Sequence, residues 1–304
     1  MEQHSRRVTL AGAMLAALLA ATAGASVLAT TPAFASTVPT ATVFGPNSAF
    51  DSSPEKTTIA NCPAGQRVLG GGVRVNAGAD HIVITRQEPV HSAWTDQDSF
   101  VVTAVEDAVG TTTVWALQAY AVCAPPVPGI VIVAAAGPTD SQPFQGTTVR
   151  CPARTFLLGA GGRVLDGQGR VGLVTQTVGS PLFPNGVNAG GFEEFGSVDA
   201  QGHIVGFLGN WSVIAFAVCA PANLTNDVEV VRASTGGLDN PKILTANCPA
   251  GKRVTGSTGW ADVTAVVASA NIDTFRLRVQ LIARKHEPQF PGSWGAFTEA
   301  ICWA

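Results

Sequence analysis

The chain is predicted to be an all-β protein in which three tandem antiparallel-sheet repeats form one pseudo-threefold, β-prism-like domain. One pattern is written three times, as CPAGQRVLGGG from Cys62, CPARTFLLGAGG from Cys151 and CPAGKRVTGSTG from Cys248. Short runs rich in Val, Ile and Thr alternate with turns rich in Gly, Pro, Asn and Ser, which is typical of strands. No stretch after the N-terminal segment shows sustained helical periodicity.

The N-terminal segment, residues 1–35, is predicted to be a secretory signal peptide. Arg6 and Arg7 form a positive start, residues 8–28 carry no charge, and the small residues of AFA precede Ser36. This order of positive, apolar and small-residue regions is typical of export signals. We therefore expect cleavage and secretion.

The mature chain, residues 36–304, is predicted to be one extracellular domain. It has no unbroken apolar stretch of transmembrane length, so no stable membrane insertion is expected after cleavage. A Sec signal is favoured over twin-arginine export because Thr9 stands where the latter signal prefers an aromatic residue.

Six cysteines, all of them after the signal, predict disulfide bonds in an oxidising compartment. Six cysteines allow fifteen pairings, and the repeat selects one of them because each copy opens and closes with a cysteine. The spacing also argues against a structural zinc site, since no two cysteines are two to four residues apart. No metal and no cofactor are predicted. The expected pairs are Cys62 with Cys123, Cys151 with Cys219, and Cys248 with Cys302.

The closing segments are WALQAYAVC, WSVIAFAVC and WGAFTEAIC, so Trp115, Trp211 and Trp294 each precede a cysteine by eight positions. The first two segments are apolar at nearly every position, which predicts a strand covered on both faces. Glu299 in the third segment indicates that one face of that strand is wetter.

Each copy is expected to begin with a strand, a polar loop and a second strand that enters the opening cysteine. Short turns, APPVPG and APANLTND, separate the copies, so we expect them to pack against each other. The predicted repeats are residues 38–125, 126–221 and 222–304.

Glycine recurs eight positions after each opening cysteine, at Gly70, Gly159 and Gly256. A phosphate-binding loop would need a following lysine and a helix, and both are missing. The glycines instead predict a bulge, a sharp bend or a close approach of another backbone.

The pattern of CPAG, a Gly-rich strand, Trp and AVCA resembles secreted actinobacterial proteins with three copies of it, most of which have no assigned activity. More distantly, three cysteine-bounded repeats of antiparallel strands resemble vitelline membrane outer layer protein I, and this resemblance implies a threefold β-prism. Arg154 departs from the pattern because the other copies have Gly65 and Gly251 there.

A catalytic interpretation finds little support. The mature chain has four histidines, at positions 81, 91, 203 and 286, with no metal-binding or serine-hydrolase spacing. Glycoside chemistry needs only two carboxyl groups, and Asp96, Asp98, Glu193 and Glu194 are the candidates. Asp96 and Asp98 would share a face of a strand, whereas Glu193 and Glu194 would point to opposite faces.

Binding is the favoured function. Trp94 and Trp260 lie outside the repeated pattern, and an aromatic ring near carboxylates can stack on a sugar or anchor a partner. We therefore predict a secreted, non-catalytic binding or envelope-associated protein, with a glycan, the cell wall or another secreted protein as partner. A carbohydrate-active enzyme using a carboxylate pair is the alternative.

Nucleic acid is not expected as a partner, because the formal net charge is −3 and no run of Lys or Arg could follow phosphates.

Overall fold

The structure, a computed structural model, describes residues 40–77, 81–107, 110–180, 183–193, 197–198, 204–223, 227–262, 265–273, 275–285 and 292–304. In this part of the chain every regular element is a β-strand, and all strand pairs are antiparallel, which confirms the all-β prediction. No helix that could span a membrane occurs among the described residues. The predicted signal, residues 1–35, lies outside them.

The first copy contributes six strands: β1 (Ala41–Asn47), β2 (Glu55–Asn61), β3 (Arg67–Asn76), β4 (Ile82–Ser92), β5 (Gln97–Glu106) and β6 (Ala116–Ala124).

The second copy contributes eight strands: β7 (Val131–Ala136), β8 (Phe144–Arg150), β9 (Thr155–Leu165), β10 (Val171–Ser180), β11 (Phe183–Glu193), β12 (Ser197–Val198), β13 (Ile204–Val205) and β14 (Ser212–Pro221).

The third copy contributes six strands: β15 (Glu229–Thr235), β16 (Lys242–Asn247), β17 (Arg253–Ala261), β18 (Ala265–Ile272), β19 (Arg278–Lys285) and β20 (Ala296–Trp303).

The pairing of strands inside a copy recurs three times. One set joins the first, closing and post-cysteine strands, as β1-β6-β3, β7-β14-β9 and β15-β20-β17. The other set joins the pre-cysteine strand to the following hairpin, as β2-β5-β4, β8-β11-β10 and β16-β19-β18. Each copy thus divides these six strands between two sheets, and β12 and β13 of the second copy form a separate two-stranded sheet.

The predicted prism, with one sheet from each repeat, is wrong. The ladders β3-β18 and β4-β9 join sets from different copies into two six-stranded sheets, while β8-β11-β10 and β15-β20-β17 stay three-stranded. These four sheets are arranged around an axis like the blades of a four-bladed propeller. The reason is that an outer strand of one set has unpaired backbone groups, which a neighbouring copy satisfies at two of the junctions.

The recurring glycines lie where backbones approach each other. A Cβ on Gly159 would be 1.8 Å from the carbonyl oxygen of Leu69, and one on Gly256 would be 2.8 Å from the Cα of Gly159. A Cβ on Gly70 would in turn be 2.4 Å from the carbonyl oxygen of Thr255. A ladder irregularity also occurs beside each of the three glycines. The predicted close approach and bulge are therefore confirmed.

The three predicted disulfides are present: Cys62–Cys123, Cys151–Cys219 and Cys248–Cys302. Each bond joins the residue that follows the pre-cysteine strand of a copy to the closing strand of that copy. Nearly all residues of β6 and β14 are buried, as the sequence predicted.

The prediction of a wetter face on the third closing strand is wrong. Glu299 is 1% exposed. Its Oε1 accepts a 2.8 Å hydrogen bond from Arg232 Nε, and its Oε2 accepts a 2.9 Å hydrogen bond from the Thr258 hydroxyl. A paired carboxylate can be buried, so its charge does not report exposure.

Candidate functional site

A cleft of about 530 Å³ opens where β3 and β18 diverge on the first six-stranded sheet. The two strands pair only at Arg74–Ser269 and Val73–Ala270. Beyond that point the Tyr120 hydroxyl accepts a 2.8 Å hydrogen bond from the Ile272 N–H. The phenol thus satisfies a donor that the diverging strand leaves unpaired.

Gly72 allows this arrangement, because a Cβ at that position would lie 2.0 Å from the Tyr120 hydroxyl oxygen. The ring of Tyr120 is buried, and its burial raises the pKa of the phenol above its ordinary value, which keeps the group neutral. Tyr120 therefore forms a fixed, uncharged floor for the cleft.

Aromatic surface stands at one side of the cleft. Phe44 on β1 is 47% exposed, and its ring centroid is 6.1 Å from that of Tyr120 at an angle of 51°. Phe44 and Tyr120 both line the cleft.

The polar lining is mainly carboxamide. Two of these groups are held by neighbours: Gln118 Nε2 donates to the Gly45 carbonyl at 3.1 Å, and Asn76 Nδ2 donates to Asn47 Oδ1 at 3.1 Å. These bonds orient both amides. The polar lining side chains are Arg74, Asn76, Gln118, Asn271, Asp273 and Gln280.

Asn271 and Gln280 are directly opposite each other on β18 and β19. Within the described residues, neither side chain nor that of Arg74 has a hydrogen bond or an ion pair. Carboxamides both donate and accept, so this pair can recognise hydroxyl groups without a net charge.

Asp273 is the one carboxylate in the described lining. Its Oδ1 accepts a 2.6 Å hydrogen bond from the Leu277 N–H, and its Oδ2 is 3.8 Å from Arg278 Nε. The side chain therefore stabilises the turn between β18 and β19.

The sequence-predicted residues do not line this cleft. Trp94 and Asp96 are in the turn between β4 and β5, where the Trp94 side chain is 99% exposed and Asp96 has a φ of 46°. Asp96 thus precedes the strand, and the expectation that it shares a strand face with Asp98 is wrong. Glu194 lies outside the described residues.

Asp98 is 1% exposed and fully engaged. Its Oδ2 accepts hydrogen bonds of 2.8 Å from both Arg67 Nε and the Val68 N–H, and its Oδ1 is 2.6 Å from His91 Nδ1. This carboxylate ties the β4–β5 hairpin to the start of β3.

Glu193 is also buried and engaged. Its Oε1 accepts a 2.9 Å hydrogen bond from the Trp211 indole, and its Oε2 accepts a 3.1 Å hydrogen bond from the Phe207 N–H. Glu106 accepts the same bond from the Trp115 indole at 3.1 Å in the first copy. In the third copy the Trp294 indole instead donates to the Asp239 carbonyl at 3.1 Å.

Trp260 lies on the outer part of β17. Its ring stacks on Phe297 with a centroid distance of 5.3 Å and an angle of 17°, and the Arg232 guanidinium lies 4.6 Å from the centroid of Phe297. The hairpin that carries Trp94 and the strands that carry Glu193 and Trp260 are in three different sheets, and the cleft between β3 and β18 includes none of these residues.

Comparisons with known proteins add no family: no protein-family model matches the chain, and no curated protein is significantly similar to it. Within the described residues, no group of three or more His, Cys, Asp or Glu side chains is arranged to hold a metal ion.

Sequence reasoning missed the cleft because its residues come from the first and third copies. The sequence nevertheless contains a feature that could have located the cleft, namely the positions at which the three copies differ. Twelve residues after the opening cysteine stand Arg74, Arg163 and Trp260, and five residues after the repeated tryptophan stand Tyr120, Phe216 and Glu299. Positions at which the copies differ indicate contacts that are specific to one copy, and Arg74 and Tyr120 of the first copy both line the cleft.

Proposed function

We propose that this is an exported, non-catalytic glycan-binding protein and that the cleft between β3 and β18 is its binding site. The carrying observation is the Asn271–Gln280 carboxamide pair, which is unpaired within the described residues, in the same cleft as the exposed ring of Phe44. A sugar has hydroxyl groups for the amides and an apolar face for the ring, and binding sites commonly combine apolar surface with a few convergent polar groups.

The charge of the cleft favours a neutral glycan. Arg74 and Asp273 contribute one charge of each sign, and the other four polar lining side chains are amides. A strongly anionic polymer would instead be matched by a cluster of basic groups.

Export is part of the proposal. The three disulfides are compatible with an oxidising compartment, and the sequence of residues 1–35 has the features of a signal peptide. The expected target is therefore a polysaccharide of the cell envelope or of the surroundings.

A glycosidase is the less favoured alternative. That chemistry generally uses two carboxyl groups about 5 to 9 Å apart, and the described lining of the cleft contains only Asp273. Asp98 and Glu193 hold structural partners, as described above. The alternative predicts turnover of a bound glycan, which product analysis would detect.

The test is binding of the mature protein to a glycan array and to insoluble cell-wall polysaccharides. Asn271→Ala combined with Gln280→Ala should weaken binding about tenfold, because two net hydrogen bonds are removed. Phe44→Ala should weaken it about three- to tenfold through loss of ring contact.

Matched controls are Gln142→Ala and Phe144→Ala, which remove an exposed amide and a half-exposed ring outside the cleft. Equal binding by the control and cleft variants would refute the proposed site. Trp94→Ala is tested in the same assays. Loss of binding in this variant alone would place the binding site at the tip of the β4–β5 hairpin instead of in the cleft. Retention of secreted proteins but of no glycan would refute the glycan assignment.

A further inference from the structure

A lysine or glutamine stands six residues before each opening cysteine, as Lys56, Gln145 and Lys242. All three are at most 6% exposed and lie beside the repeated tryptophan of their copy. Lys56 Nζ is 4.8 Å from the centroid of Trp115, and Lys242 Nζ is 4.7 Å from that of Trp294.

The first two copies provide a partner for this side chain. The Lys56 ammonium forms an ion pair with the Asp51 carboxylate. Gln145 Nε2 donates hydrogen bonds of 2.8 Å to the Asp140 carbonyl and 2.9 Å to the Trp211 carbonyl. Each buried polar group is thereby satisfied on its donor side.

At the position that corresponds to Asp51, the third copy has glycine. The carbonyl that accepts a hydrogen bond from the tryptophan N–H belongs to Asp51 in the first copy and to Asp140 in the second, but to Gly237 in the third. Lys242 is 2% exposed, and within the described residues its Nζ has no hydrogen-bond partner. A buried ammonium that lacks a partner is costly, and such groups commonly bind an ion or a water molecule.

The space for an acidic group is open. A Cβ on Gly237 would meet no atom of the described residues within 4 Å, so these residues do not fill the volume next to this backbone. In the first copy the Asp51 side chain is 47% exposed although its lysine partner is only 4% exposed. An equivalent acidic group in the third copy would therefore be reachable from solvent.

We propose that Lys242 and the backbone around Gly237 form a binding site for the carboxylate of an external ligand, which takes the place that Asp51 occupies in the first copy. The internal repeat supplies the reason for choosing a carboxylate. In the first copy the equivalent lysine, Lys56, lies over the equivalent tryptophan, Trp115, and binds a carboxylate. An ammonium–carboxylate pair is a strong, charge-assisted contact.

This site is separate from the glycan cleft and does not depend on the proposed function. Ile243 follows Lys242, is 61% exposed, and is paired across the strands with Ile282, which lines the cleft. Because successive residues of a strand point to opposite faces, Lys242 faces away from the cleft.

The test is a titration of the disulfide-bonded mature protein with acetate at constant pH and ionic strength, followed by the indole N–H resonance of Trp294. A saturable shift is expected with acetate. Acetamide, which has the same shape without the charge, should give no saturable shift. Equal responses to acetate and acetamide would overturn the proposal.

Lys242→Gln is the matched loss variant, because Gln145 shows that the fold accepts glutamine at this position. We expect acetate binding at Trp294 to weaken at least about tenfold when the charge-assisted contact is lost. Unchanged affinity in this variant would contradict the site.

Asp51→Gly is the gain variant, since it recreates the vacancy beside Lys56. It should add a second saturable acetate response, at the Trp115 indole, and its absence would count against the role of the repeat. Glucuronate distinguishes the sources of the carboxyl group: we expect it to bind as well as acetate, because the open position leaves room for a ring. If acetate binds and glucuronate does not, the site is retained and its ligand is a small free carboxylate.

Discussion

The carbonyl oxygen of Leu69 occupies the place that a side chain on Gly159 would need. A Cβ there would be 1.8 Å from this oxygen, which is a backbone atom of a strand that packs against the strand of Gly159. The contact joins β3 of the first copy to β9 of the second, so the packing of the copies depends on it.

Gly159→Ala should therefore destabilise the protein by on the order of 3 kcal/mol, because backbone cannot move aside as a flexible side chain would. Gly236→Ala is the control, since its Cβ would meet nothing closer than 3.9 Å. Urea unfolding of the two variants checks the prediction. Similar midpoints would show that the strands can separate without cost.

Glu193→Ala should cost about 3 kcal/mol, because it leaves the buried Trp211 indole and the Phe207 N–H without their acceptor. Glu193→Gln keeps one acceptor oxygen and should cost less. Glu229→Ala, at a half-exposed ion pair with Lys252, should change stability by less than about 1 kcal/mol. Urea unfolding and near-ultraviolet circular dichroism measure these effects. A neutral Glu193→Ala would argue that this carboxylate is not structural.

Asp51 predicts an acid-dependent contribution to stability. The Lys56 ammonium first, and the Ser53 backbone N–H second, lower the pKa of this carboxyl from 3.8 to about 2. A lowered pKa in the folded state means that the contribution is present above the unfolded value and is lost as the pH falls from 3.8 to about 2.

The measurement is the difference in stability between the wild-type protein and Asp51→Asn across this pH range. We expect the difference to shrink as the pH falls, because the wild-type carboxylate becomes protonated. A difference that is independent of pH would mean that the ion pair with Lys56 does not contribute. Since Asp51 is at the surface, added salt should also reduce the difference.

Residues 126–221 should not fold as an isolated fragment. Strand β9 pairs with β14 of its own copy and with β4 of the first copy, and Ile301 of the third copy lies in the hydrophobic cluster around Trp211. An isolated second copy would expose these apolar surfaces and an unpaired strand edge. A soluble fragment with one cooperative melting transition would contradict this expectation.

The candidate site was less predictable than the fold for a physical reason. In the sequence, Trp94 is a candidate as an aromatic outside the repeated pattern and Asp98 as one of a carboxylate pair, but Asp98 is bound by Arg67 and His91 while Trp94 extends into solvent. Whether a carboxylate is free depends on partners from distant segments, which local sequence does not specify.

The sequence by itself determined the all-β class and the disulfide pairs, and it indicated a bulge, a bend or a close approach at Gly159, because these follow from local alternation and from the recurrence of Cys and Gly at equal spacing. Only the tertiary structure decided that strands of different copies merge into two larger sheets. It also decided that β3 and β18 diverge to open a cleft and that Lys242 has no carboxylate partner among the described residues, whereas Lys56 is paired with Asp51. These features arise where copies meet or differ, and the energy of such contacts depends on packing between residues far apart in the chain.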